Sequence, residues 1–124
     1  MKNEPEYVEH CIELMTGLDE SIFAKRMFGG HGIFREGLMF ALVADSELYL
    51  KVDEENEADF ARLDLPRFTY LRGEKEMHLS YRMAPEEAFQ NQQKMKQWAG
   101  SGWEAAVRAD QAKPPGKRKR QVPG

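Results

Sequence analysis

The chain has little of what extracellular, membrane-spanning or metal-binding proteins are built from. Its 124 residues include one cysteine, Cys11, so no internal disulfide can form, and a reducing cytoplasm is the expectation. No apolar run approaches the roughly 18 residues that span a bilayer. The opening residues MKNEPEYVEH are acidic and lack the apolar core of an export signal. His10, His31 and His78 form no pair at metal-ligand spacing, and one cysteine adds too little, so no metal site is expected. No internal repeat is visible.

What is present describes an ordinary globular domain. Hydrophobic residues make up 41% of the chain and charged residues 31%, enough for a single core. The net charge of -3 hides an asymmetry. Lys113, Lys117, Arg118, Lys119 and Arg120 crowd the last twelve residues, which hold no acid. Setting those five aside leaves 13 basic residues against 21 acidic ones, so the body carries about -8 by formal count. The expectation is a folded domain over residues 1–112 and a flexible basic tail over 113–124. Nucleic-acid contact would fall to that tail, because an acidic body repels phosphate.

Periodicity orders the elements. A helix from about Glu4 to Gly17 is expected, capped by Asn3, with Tyr7, Cys11, Leu14, Met15 and Leu18 on one stripe. A thiol on that stripe is read as inert packing rather than redox chemistry. Strands follow at Ala24–Phe28, Gly32–Arg35, Leu38–Ala44 and Glu47–Val52, separated by Gly-Gly, Glu-Gly and Asp-Ser turns. Such short connections make antiparallel neighbours. A short helix from roughly Glu54 to Leu63, capped by Asp53, ends before Pro66. A second hairpin pairs Phe68–Leu71 with Glu76–Met83, where Met77, Leu79, Tyr81 and Met83 alternate with His78, Ser80 and Arg82. Pro85 opens a last helical region with Met95, Trp98, Ala99, Gly102 and Ala106 on one stripe. Either that helix breaks at Gly100 or Gly102 permits close packing. The result is a two-layer α+β fold: an antiparallel sheet of about six strands, helices on one face, in the order α-β(4)-α-β(2)-α.

Three constellations bear on function, and no catalytic residues are among them. Arg26, Gly29, Gly30, His31 and Gly32 form a candidate ligand turn, since consecutive amides can wrap an anion. The simpler reading is a hairpin turn using positive φ angles. Tyr49, Lys51, His78, Ser80 and Arg82 form a candidate interaction face, since aromatic and cationic side chains are typical of interfaces. A solvated sheet face accounts for them equally well. Lys113, Lys117, Arg118, Lys119 and Arg120 are candidate nucleic-acid contacts, with solubilising disorder as the simpler reading.

The run Arg26-Met27-Phe28-Gly29-Gly30-x-Gly32-Ile33-Phe34, then Gly37-x-Met39-Phe40-Ala41, then Leu48-Tyr49-Leu50-Lys51-x-Asp53, resembles the N-terminal domain of the TfoX/Sxy family of bacterial competence regulators. Phe68-x-Tyr70, Leu79-Ser80-Tyr81 and Pro85-Glu86-Glu87 continue the likeness, from about Tyr7 to Ala109. The resemblance implies an α+β domain with a curved antiparallel sheet, and a role in regulating DNA-uptake genes beside a transcription factor. It implies no enzymatic activity and no cofactor. The family's full-length regulators carry a second helical domain that this sequence does not show, so its contribution is not carried over.

The leading expectation is therefore a non-catalytic regulatory or protein-interaction domain, forming a homodimer or holding a regulatory protein partner. The alternatives are a nucleic-acid factor acting through its tail, and a small-ligand or enzymatic domain at the Gly-Gly-His-Gly turn.

Overall fold

The computed structural model describes residues 4–27 and 29–119. Asn3, Phe28 and Arg120, read above as helix cap, strand end and tail cation, lie outside the described residues.

Six strands form one antiparallel sheet: β1 Phe23–Met27, β2 Gly30–Arg35, β3 Leu38–Ala44, β4 Glu47–Lys51, β5 Arg67–Arg72 and β6 Lys75–Met83. Their spatial order is β1-β2-β3-β4-β6-β5, so β1 and β5 are the edges. The first four strands run as a meander because their connections are too short for anything else. Glu36 and Gly37 have φ of 49° and 79°, and Asp45 and Ser46 have 52° and 58°. Positive φ at both central residues is the two-residue turn that matches strand twist.

Helices α1 Glu4–Met15 and α3 Gln92–Gln111 pack on one face, with the short α2 Glu57–Ala61 between β4 and β5. Their apolar stripes meet Ile33, Phe40, Val43, Leu48 and Leu50 in a core where each is 1% exposed or less. Cys11 is fully buried there. Phe40 meets Trp103 edge-on at 5.9 Å, and Phe60 of α2 meets Trp98 at 5.2 Å. The first pair clamps α3 to the sheet and the second clamps it to α2.

The final helix does not break at Gly100; it runs unbroken through both glycines. A Cβ on Gly102 would stand 3.2 Å from the Phe40 carbonyl oxygen and 3.3 Å from the Lys51 nitrogen. Gly102 is thus where α3 lies on the sheet backbone itself. The short helix starts later than expected, with Asn56 rather than Asp53 at its N-cap.

Candidate functional site

Cross-strand pairing decides what the uncovered face of the sheet carries. Phe23 opposes Phe34, Lys25 opposes Gly32, and Met27 opposes Gly30. Leu42 opposes Tyr49. The register between β2 and β3 shifts between Ile33 and Phe34, leaving Phe40 without a direct partner. Such a bulge changes which side the following residues take. Phe40 and Ala41 are both fully buried under the helices, while Met39 turns to the other face beside Gly32. A Cβ on Gly32 would stand 2.6 Å from the Met27 sulfur and 2.7 Å from the Met39 sulfur.

The β5–β6 hairpin rises beside this face. Only Tyr81, Arg82 and Met83 of β6 pair with β4, so the rest of the hairpin stands clear of the meander. Between them lies a cleft of about 420 Å³, walled by Met27, Met39, Leu42, Phe68, Tyr70 and Leu79. Its walls are apolar, and the lining Phe68 and Tyr70 form an aromatic row with Tyr49 at ring separations of 5.1 Å (Tyr49–Phe68) and 6.1 Å (Phe68–Tyr70). Leu71 is 71% exposed at the hairpin tip. The sheet is therefore apolar on both faces, and helices cover one.

The glycine turn borders this cleft through Gly30 and His31. Gly29 alone takes positive φ, at 75°, whereas Gly30 and Gly32 lie within β2. Gly30 is needed for close approach: a Cβ there would overlap the Val43 carbonyl oxygen. The His31 Nδ1 lies 3.0 Å from the Glu4 carboxylate, and that carboxylate also accepts the Ser46 N–H at 3.0 Å. Glu4 thus fastens the start of α1 both to His31 of β2 and to the β3–β4 turn. Arg26 is exposed at the edge strand, opposite His31. Among the described residues no group of three histidine, cysteine or acidic side chains could hold a metal ion.

The five residues read as one interaction face do not share a face. Lys51 opposes Tyr81, and Leu50 opposes Arg82. Tyr49 and Lys51 therefore stand on the outer side with Tyr81, while Arg82, and with it Ser80 and His78, turn to the other. The Arg82 guanidinium donates to the Leu65 carbonyl at 2.9 Å and lies 3.6 Å from the Glu57 carboxylate. The His78 ring lies 3.1 Å from the Thr69 hydroxyl. Burial, then the Lys113 charge, pulls the Lys51 amine below its ordinary pKa, against the pull of Asp53. Burial raises Tyr49, with Glu47 and Asp45 adding to it.

The first residues read as tail run back along α3. Pro115–Lys117 form a turn of 3-10 helix, the Lys119 N–H donates to Asp110 at 2.7 Å, and Arg118 donates to the Lys113 carbonyl at 3.0 Å.

Sequence reading missed Asn56. It is 5% exposed, accepts the Asp53 N–H at 2.8 Å, and donates to the Lys51 and Ser101 carbonyls at 3.1 and 3.2 Å. It ties β4 to α3 across 45 positions, a separation that leaves no local signature.

The architecture is that of an α+β domain whose antiparallel sheet carries helices on one face and an open apolar cleft on the other. The TfoX N-terminal domain family model matches residues 13–106, and the chain belongs to that family, one of competence regulators. The chain is also similar to the DNA transformation protein TfoX1 of Aliivibrio fischeri (strain ATCC 700601 / ES114), 45% identical over 51 residues. That match covers 40% of this chain and 24% of the relative. Among the described residues no helix is long and apolar enough to cross a membrane.

Proposed function

We propose that the chain is a non-catalytic regulatory domain that acts in the cytoplasm by contact with another protein. The observation that carries this reading is the sheet's second apolar face. Phe23, Tyr70, Leu71 and Leu79 are 38 to 71% exposed, and the first, second and fourth share that face with the cleft. A contiguous apolar surface of this kind marks an interaction site on a protein of this size. Membership of a regulatory family supplies the context, and the name of the relative points to DNA uptake as the process regulated.

The test is transcription of DNA-uptake genes in the native host with the gene deleted and restored. Restoration with the wild-type chain changes their transcript levels, and restoration with Tyr70→Ser plus Leu79→Ser does not, although circular dichroism shows both chains folded. Transcripts that ignore the wild-type chain altogether would remove the reading.

A further inference from the structure

Charge divides this protein by layer. The six strands hold eight lysines and arginines against two acids, Glu47 and Glu76. Helix α1 holds four glutamates and no cation. The strands thus count +6 in a chain whose net charge is -3, so the residues outside them carry about -9 by formal count.

Several of the sheet cations are already engaged. Arg35 bonds Asp19, and Arg67 and Arg82 both approach Glu57. Lys25, Arg72 and Lys75 make no ion pair among the described residues. All three belong to the cleft's face. Lys25 opposes Gly32, which sits against the cleft-lining Met27 and Met39, and Arg72 opposes Lys75 two residues beyond the cleft-lining Tyr70. Glu47, opposite the cleft-lining Ala44, is the one strand acid on that side among the described residues.

From this we infer that the cleft between the β5–β6 hairpin and β1–β3 receives an extended, acidic segment of a partner protein. Its aliphatic side chains enter the cavity, and its carboxylates reach Lys25, Arg72 and Lys75. A cavity of about 420 Å³ lies within the range of roughly 300–1,000 Å³ that takes a bound group of this kind. The two methionines in its wall adapt to side chains of differing shape. Unpaired edges at β1 and β5 border the same cleft and suit an extended guest.

A second copy fits less well, because packing this face on itself opposes cation to cation. Single-stranded nucleic acid also fits less well, because it needs free aromatic planes. Here Phe23 stacks on Phe34 at 5.5 Å, and Phe68 lies between Tyr49 and Tyr70.

The inference rests on the protein-contact reading above, and the experiment separates the two. Random peptides of about ten residues, long enough to cross a strand face, are selected by display on the full chain. The selected peptides are then titrated into protein carrying ¹³C-methyl methionine. Enrichment of acidic peptides with aliphatic residues is expected. They shift the Met27 and Met39 methyl signals and leave Met15 and Met95, which are fully buried on the helix side. Arg72→Glu with Lys75→Glu weakens them about tenfold or more, as expected for two charge-assisted contacts. No enrichment, enrichment of basic peptides, shifts outside the cleft, or a stronger response at Met27 and Met39 to oligothymidine would overturn the inference. Acidic peptides that bind the cleft while uptake-gene transcripts ignore the charge-reversed variant would sink the regulatory reading alone.

Discussion

Arg108 holds Asp53 by two hydrogen bonds, Nε to Oδ2 at 2.5 Å and Nη2 to Oδ1 at 2.9 Å. The pair joins the last turns of α3 to the loop leaving β4, and Glu55 approaches the same guanidinium at 2.7 Å. The Arg108 hydrogen bonds, helped by the N–H groups of Asn56 and Glu55, hold the Asp53 carboxyl below its ordinary pKa, while burial opposes them.

A depressed carboxyl pKa sets the sign of the pH dependence. The contribution of Asp53 is complete above the unfolded-state value, near pH 4, and is lost as pH falls through the lower folded-state value. Asp53→Asn should therefore lower stability at neutral pH by about 1 kcal/mol for a partly exposed bidentate pair. It should also flatten the acid limb of a urea-denaturation series taken between neutral pH and the acid-unfolding range. An acid limb identical to wild type would show that the pair contributes nothing.

Gly100 and Gly102 share a helix and should answer oppositely. A Cβ on Gly100 meets only the Leu18 side chain, at an ordinary 3.8 Å. Gly100→Ala should raise stability by about 0.5–1 kcal/mol, the usual helix gain over glycine. Gly102→Val should lower it by about 2 kcal/mol, because the sheet backbone it meets cannot step aside. Thermal melts of the two variants decide the matter.

Adjacent glycines at the β1–β2 turn separate two costs. Gly29 faces open space but has φ of 75°, so Gly29→Ala should cost about 1–2 kcal/mol, the left-handed penalty. Gly30→Ala drives its methyl into the Val43 carbonyl oxygen, and should cost more than Gly29→Ala or prevent folding. Equal melting temperatures would contradict the observed packing.

Asn56→Ala removes the partner of three backbone groups at once. Leaving buried polar groups unsatisfied costs about 1–3 kcal/mol each, partly relieved by water in the space created. A loss of about 2–3 kcal/mol in denaturant titration is expected. Asn56→Asp should not restore it, because a carboxylate cannot donate to the Lys51 and Ser101 carbonyls.

Much of the fold was legible because local chemistry specified it. Glu36-Gly37 and Asp45-Ser46 adopt the turns that short connections between apolar alternations require. Leu48, Leu50 and Val52, every second residue along β4 and just beyond it, are all buried. The alternation in β6 was legible too, but its orientation was not. Met77, Leu79 and Tyr81 look like the core side, yet they turn to the face opposite the helices, and Arg82 turns toward Leu50. A period of two says that the sides differ; it does not say which one a helix will cover.

The same limit governs the candidate site. Gly30 and His31 were singled out from the chain, and they do border the cleft, but the cleft's walls come from β1, β2, β3, β5 and β6 together. Local residue order determined the elements, their order and their antiparallel pairing, because turns and periodicity act over a few residues. Only the tertiary structure decided the bulge at Phe40, the second apolar face, the cleft and the unpaired cations around it. Those follow from register and sheet curvature, which are set by contacts between residues far apart in the chain.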